Sequence, residues 1–404
     1  MSLSASPQRP EVAAARRIVL KVGTGVLTRD DGGLARRRLD AIVQAASDLL
    51  QDGREVLIVS SGAVGLGVET LGLEAAPRKL SQRQACAAVG QSRLVGLYQQ
   101  SFEQRDLVCA QVLLTGSDFE NRERYLNLRT ALTDLLRHRV VPIINENDVV
   151  ATDELAFTDD QSRPVFGDND GLSALVASKL GADLLVLLTD VDGLYDGDPA
   201  QDPSAQVLHQ ADSTDENRLL ALAGGPSGGG RGGMQSKVVA ALLASRGGCQ
   251  VVIASGRERE ALPDVLAGAE RGTWFPALPG LTARERWIAF AASPQGTLHL
   301  DQGAVDALRY RGASLLPVGV SRVEGSFRRG DIVELVGPGG RHVGRGIAQC
   351  DDASARTWVG GRADSIPRSP SRLVRRENLV LDGLLSPPTA SEVPVATSTQ
   401  EEPP

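Results

Sequence analysis

Two lysines stand where a phosphoryl group would need them. Lys21 sits in "LKVGTG", and Lys237 closes "GGGRGGMQSK", a glycine-rich stretch that opens an apolar helical run from Val238 to Ala244. Between them the chain carries hydroxyls, amides and carboxylates in short clusters. These are Ser60 and Ser61 in "SSGAVGLG", Asn145 to Asp148 in "NENDVV", Asp168, Asn169 and Asp170 in "FGDNDGLSA", and Thr189, Asp190 and Asp192 in "TDVDGLYDGDP". A transferring phosphoryl group spreads negative charge over its equatorial oxygens, so the protein's task is to position and neutralise it. Two ammonium groups from different segments supply that charge, and glycine-rich backbone adds N–H donors without side-chain clash. Asp170 is suited to hold the ammonium groups, and nearby carboxylates to orient Mg²⁺, which takes few protein ligands when phosphate supplies the rest. If the acceptor is a carboxylate it is already ionised at neutral pH, and no histidine base is required.

Each cluster also has a plainer reading. "GDNDG" suits a helix N-cap, Lys21 a strand-end surface lysine, "TDVDG" an acidic turn, and the decamer a surface loop or linker. The decamer is not a Walker A loop, because no G-x-x-x-x-G-K-[ST] spacing is present. What favours chemistry over decoration is a shared address. The runs "RIVLKVG", "REVLIVSS", "LVCAQVLLT", "VVPIINEN", "DLLVLLTD" and "CQVVIAS" read as strands. They alternate with helical stretches at "LARRRLDAIVQAASDLLQDG", "SQRQACAAVGQSRLVGLYQQSFEQRD", "RYLNLRTALTDLLRHR", "DGLSALVASKLGA" and "MQSKVVAALLASRGG". This alternation predicts an α/β three-layer sandwich, a mainly parallel sheet with helices on both faces. In such sheets ligands bind beyond the carboxyl ends of the strands, and most of the clusters directly follow a strand. Gly53, Gly181 and Gly247 are placed to end their helices in left-handed caps.

The balance of the chain excludes several classes. With 404 residues, 42% hydrophobic, 23% charged and a net charge of −7, it reads as a multi-domain protein with no demand for a polyanionic partner. Cys86, Cys109, Cys249 and Cys350 are far apart, as are His138, His209, His299 and His342, so neither a metal cluster nor a Ser/His/Asp arrangement is legible. No apolar run approaches the roughly 18 residues of a membrane span, and the first residues lack a signal peptide's apolar block, which points to a cytoplasmic protein.

Taken together, "LKVGTGVLT", "VLIVSSGAVGLG", "AAVGQSRL", "PIINENDVV", "FGDNDGLSAL", "VLLTDVDGLYDGDP" and "GRGGMQSKVVAA" closely resemble the amino acid kinase family, in order along the chain. The later "GASLLPVGVSRVEGSFRRGDIVELV" resembles a PUA domain. The resemblance implies ATP-dependent phosphorylation of the L-glutamate γ-carboxylate to γ-glutamyl phosphate, the first step of L-proline biosynthesis. It places Lys21, Lys237 and Asp170 at catalytic positions, and Ser61, Asp148 and Asn169 at glutamate-binding positions. ATP falls to Lys21, Thr189, Asp190, Arg231, Gly232, Gly233, Met234, Gln235, Ser236 and Lys237. It also implies a homo-oligomer, dimer or tetramer, and glutamyl phosphate reductase, the next enzyme of the pathway, as a partner. Arg231 is a departure, since many members have threonine there; it adds a phosphate or ribose contact, or lies on the surface.

The expected divisions are a disordered N-terminus over 1–15, the kinase domain over 16–278, a linker over 279–293, a β-rich PUA-like domain over 294–376 and a disordered tail over 385–404. RNA binding is the function class the PUA-like region raises. Arg309, Arg311, Arg341 and Arg345 alternate there with Asp306, Glu324, Asp331, Glu334, Asp351 and Asp352. A mixed solvated surface is favoured over an RNA-binding face, since phosphate binding needs clustered cations. Rival enzymes are kinases of aspartate, N-acetylglutamate or a nucleotide.

Overall fold

The computed structural model describes residues 8–29, 33–120, 122–150, 169–199, 201–213, 215–224, 233–278, 285, 288, 294–360 and 372–381. The chain separates into two compact units, Met1–Arg286 and Trp287–Pro404.

The first unit is built on a seven-stranded sheet, in the order β3-β4-β2-β1-β5-β6-β7. Its strands are β1 (Arg17–Val22), β2 (Glu55–Ser60), β3 (Cys109–Leu114), β4 (Val141–Glu146), β5 (Leu184–Thr189), β6 (Gln250–Ser255) and β7 (Thr273–Phe275). The first six pair in parallel, and the sequence pattern anticipates each of them. β7 runs antiparallel to β6 and was not anticipated, since three residues carry too little periodicity to be read. Every residue of β4 and β5 is buried, as expected of strands covered on both faces. β3, at the edge, instead has buried ends with half-buried and exposed positions alternating between them.

Opposite faces of β1 serve opposite ends. Ile18, Leu20 and Val22 join the core formed with Leu39, Ile42, Val43 and Leu50 of the Arg36–Gln51 helix. Val19 and Lys21 therefore point to the other face. There the Asn169–Leu180 helix packs against β1 and against the Met234–Arg246 helix. The first of these helices buries every residue but Gly171, so it is a sheathed element rather than an amphipathic surface helix.

Gly53 and Gly181 adopt positive φ at their helix ends. The third expected cap is displaced by one residue: Gly247 has φ −71° and Gly248 has φ +81°. Gly247 serves packing instead, because a Cβ there would come 2.7 Å from Ser178 Oγ.

The expectation of a disordered 1–15 is corrected for residues 8–15. Pro10–Ala13 is helical, Val12 and Ala15 are buried, and Arg9 is only 3% exposed. The Arg9 guanidinium donates to the backbone carbonyls of Arg271, His209 and Gly272, and lies 5.9 Å from the Trp274 ring. One guanidinium thus ties the N-terminal segment to the approach to β7. Arg9→Ala is expected to cost about 3 kcal/mol in chemical unfolding, since three backbone carbonyls lose a charged donor. Unfolding curves that superimpose on wild type would contradict it.

The second unit carries a five-stranded sheet in the order β12-β11-β10-β8-β9. Its strands are β8 (Gly296–Leu300), β9 (Val320–Gly325), β10 (Ile332–Val336), β11 (His342–Ala348) and β12 (Val374–Leu381). β8 and β10 are parallel and the remaining pairs antiparallel. Leu298, Phe327, Val333, Leu335, Val343, Leu379 and Leu381 fill its core. The expected end at 376 cuts through β12, which stays paired to β11 as far as Leu381 because Leu379–Leu381 is a buried apolar run. The expected linker, apart from Glu285 and Ile288, and the expected tail lie outside the described residues.

Candidate active site

Three segments far apart in sequence meet on one carboxylate. Lys21 Nζ lies 2.6 Å from Asp170 Oδ1, and Lys237 Nζ lies 3.3 Å from Asp170 Oδ2. The Ser236 hydroxyl donates to Oδ2 at 2.8 Å. Asp170, Lys21 and Lys237 are 1%, 4% and 5% exposed. Burial opposes ionisation of Asp170, but the charges of Lys21 and Lys237 and the bonds from Lys21 and Ser236 outweigh it, holding the group below the ordinary carboxylate range. The carboxylate is therefore an ionised spacer that fixes two cations. The N-cap reading of Asp170 does not account for this, since both its oxygens are engaged by lysines.

Lys237 belongs to the first turn of the Met234–Arg246 helix, whose N-cap, Gly233, is extended and makes no side-chain cap. The N-terminal end of that helix adds partial positive charge beside the ammonium. Met234 is half-buried and Gln235 exposed. Arg231, Gly232 and Asp168 lie outside the described residues.

A second cluster is built of amides. Asn169 Nδ2 donates to Ser61 Oγ at 2.9 Å and to Asn145 Oδ1 at 2.9 Å, and Asn145 Nδ2 donates to Gln91 Oε1 at 2.8 Å. Asn145, Asn169 and Gln91 are buried, and Asp148 is buried just beyond β4. Among the described residues, Asn169 Oδ1 has no hydrogen-bond partner. The Leu80–Glu103 helix supports this cluster from below. Its Tyr98 hydroxyl is 3.0 Å from Ser60 Oγ at the end of β2, and desolvation raises the phenol's pKa so that it stays neutral. Gln91 was missed by sequence reading. The signal was available in "AAVGQSRL", where a lone glutamine interrupts small and apolar residues beside a helix glycine.

At the end of β5, Thr189 Oγ1 donates to Asp190 Oδ1 at 3.1 Å. A Cβ added to Gly25 would lie 3.4 Å from Asp190 Oδ2, so the turns after β1 and β5 run side by side. Those two strands are neighbours from which the chain departs in opposite directions, β2 on one side and β6 on the other, which is where a doubly wound sheet opens a crevice. Arg257, also unanticipated, places Nη2 3.8 Å from Asp190 Oδ2. It lies just beyond β6, in a turn that carries none of the recognised motifs. Among the described residues, no group of three or more His, Cys, Asp or Glu is placed to hold a metal ion, and no helix is long and apolar enough to cross a membrane.

The sequence profile of the amino acid kinase family matches residues 16–255, and that of the PUA domain matches residues 296–369. Glutamate 5-kinase of Pseudomonas putida (strain W619) is 45% identical over 380 residues, spanning 92% of this chain and 100% of the relative. Glutamate 5-kinase of Chromohalobacter salexigens is 45% identical over 388 residues, spanning 94% of this chain and 100% of the relative. Among solved structures, the carbamate kinase of Giardia lamblia bound to AMP-PNP superimposes with a TM-score of 0.46 at 14% identity, covering 65% of this chain and 99% of that one. With a family profile over most of the first unit and full-length relatives at this identity, the chain belongs to the amino acid kinase family, in its glutamate 5-kinase group, with a PUA domain following the kinase domain.

Proposed function

We propose that this protein phosphorylates the γ-carboxylate of L-glutamate with ATP, giving γ-glutamyl phosphate and ADP as the first step of L-proline biosynthesis in the cytoplasm. The observation that carries the reading is Asp170 holding Lys21 and Lys237 on its two oxygens. The full-length relatives named glutamate 5-kinase support the choice of acceptor.

In the proposed reaction a glutamate γ-oxygen attacks the γ-phosphorus of ATP. The new C–O–P bond forms as the bond to the β,γ-bridging oxygen breaks, and ADP leaves with that electron pair. The carboxylate, with an unperturbed pKa of about 4.3, needs no base at neutral pH. Lys21 and Lys237 approach the transferring group as cations already fixed, so charge developing on its oxygens meets donors that need no reorganisation. Thr189, Asp190 and the first turn of the Met234–Arg246 helix, with Gly233 to Ser236, take the nucleotide.

Mg²⁺ supplies further charge neutralisation on the phosphates when bound with ATP. The donor set suits a metal carried mainly by nucleotide phosphates and water, because Asp170 is committed to lysines and, among the described residues, no group of three or more His, Cys, Asp or Glu could hold the ion. On the acceptor side, Ser61, Asp148 and Asn169 take glutamate's α-substituents, with Asp148 and Asn169 Oδ1 as acceptors for its ammonium group. Asp148→Asn is expected to raise the KM for glutamate by tenfold or more, roughly one charged hydrogen bond, with the KM for ATP little changed.

The direct test is γ-glutamyl hydroxamate formation with ATP, Mg²⁺ and L-glutamate, in the absence of RNA. Aspartate and N-acetylglutamate serve as competing acceptors in a coupled ADP assay. Preference for either, or dependence of turnover on added RNA, would sink the proposal. Homo-oligomerisation and coupling to glutamyl phosphate reductase belong to the same reading, and size-exclusion with light scattering, alone and with the reductase, tests both.

A further inference from the structure

The amide chain that ends at Asn169 has a direction, and Gln91 sets it. A carboxamide oxygen only accepts and its nitrogen only donates, so the two orientations of a buried asparagine present opposite chemistry to a ligand. Gln91 Oε1 accepts from Asn145 Nδ2 at 2.8 Å, which turns Asn145 Oδ1 towards Asn169. Asn169 Nδ2 spends its two hydrogens on Asn145 Oδ1 and Ser61 Oγ, each at 2.9 Å. Its Oδ1 is thereby left as a buried acceptor without a hydrogen-bond partner among the described residues. Such an atom carries a desolvation penalty that a donor on a ligand removes. Were Asn145 reversed, its nitrogen would oppose the nitrogen of Asn169. Asn169 would then have to reverse as well, presenting N–H groups where an ammonium ion needs an oxygen.

Gln91 itself has little room to drift. It is 7% exposed, and its helix is pinned on either side. At Gly90 an added Cβ would lie 1.7 Å from Ala63 O, and two turns on, Tyr98 meets Ser60. Nε2 of Gln91 has no hydrogen-bond partner among the described residues, so its oxygen makes the contact that orders the chain.

We infer that Gln91 is a positioning residue for the acceptor's ammonium group: the oxygen it gives to Asn145 determines which atom Asn169 turns to the acceptor. The inference rests on the acceptor site assigned under the proposed function. Steady-state kinetics of Gln91→Leu and Gln91→Glu test it. Leucine removes the oxygen at similar size, whereas glutamate keeps an oxygen and loses the amide nitrogen. Gln91→Leu should raise the KM for L-glutamate about tenfold, the scale of one hydrogen bond, with the KM for ATP within about twofold of wild type. Gln91→Glu should stay within about threefold of wild type for both substrates. A parallel rise in both KM values for Gln91→Leu, an unmoved glutamate KM, or a Gln91→Glu as impaired as Gln91→Leu overturns the inference. If Gln91→Leu does not fold, Gln91→Met carries the same expectations and the same overturning results. A wild-type enzyme that does not turn over glutamate removes the functional reading and this inference together, whereas an active wild type with an unmoved variant removes the inference alone.

Discussion

Lys237→Ala should lower kcat by about a thousandfold while leaving the protein folded, the scale set by removing one preorganised charge from a phosphoryl-transfer site. The two effects separate because Asp170 keeps a partner: Lys21 remains 2.6 Å from Oδ1 when the contact to Oδ2 is lost. No buried charge is orphaned, so thermal unfolding should shift little. Asp170→Asn supplies the contrast. It leaves two ammonium groups, each 5% exposed or less, facing a neutral amide. Removing one member of a buried ionic set costs about 3–5 kcal/mol, so this variant should lose stability as well as turnover. Hydroxamate formation and thermal unfolding measured together on both variants decide the matter. A Lys237→Ala enzyme within tenfold of wild type, while stably folded, would remove the two-cation account of catalysis.

Gly90→Ala should be among the most destabilising single-methyl additions in the kinase unit. A Cβ at Gly90 would lie 1.7 Å from Ala63 O and 2.4 Å from Gly67 N, and one at Gly67 would lie 1.8 Å from Cys86 O. The Ala63–Thr70 and Leu80–Glu103 helices therefore cross backbone to backbone, and neither wall is a side chain that can swing aside. Overpacking of this kind costs about 3 kcal/mol, here against rigid main chain. The displaced helix also carries Gln91 and Tyr98, and the displaced loop carries Ser61, so glutamate KM should rise along with the loss of stability. Gly96→Ala is the matched control in the same helix. Its Cβ meets nothing within 4 Å, and removing a helix glycine there should stabilise by up to about 1 kcal/mol. Urea unfolding of the pair tests the crossing. Equal effects from the two alanines would refute it.

The strands were legible because a parallel sheet buried on both faces demands unbroken runs such as "LLVLLT", and because the clusters that follow them break that pattern abruptly. Gln91 and Arg257 were not legible as site residues. One lies mid-helix and the other follows a strand end that carries none of the recognised motifs, and in both cases the partner is remote in sequence: Asn145 for Gln91, Asp190 for Arg257. The ordered N-terminal segment was hidden for a related reason. Arg9 finds its carbonyls about 200 residues or more along the chain, so nothing local marks it as buried.

The amino-acid sequence alone thus determined the alternation of strands and helices, and the chemical types gathered at their ends, because both are written in local periodicity and short motifs. Only the tertiary structure decided that Lys21 turns away from the Arg36–Gln51 helix, that one carboxylate serves two lysines, and which way the Asn145 and Asn169 amides face. Those outcomes follow from strand order, helix crossing and the pairing of buried donors with acceptors, which depend on segments that meet only after the chain has folded.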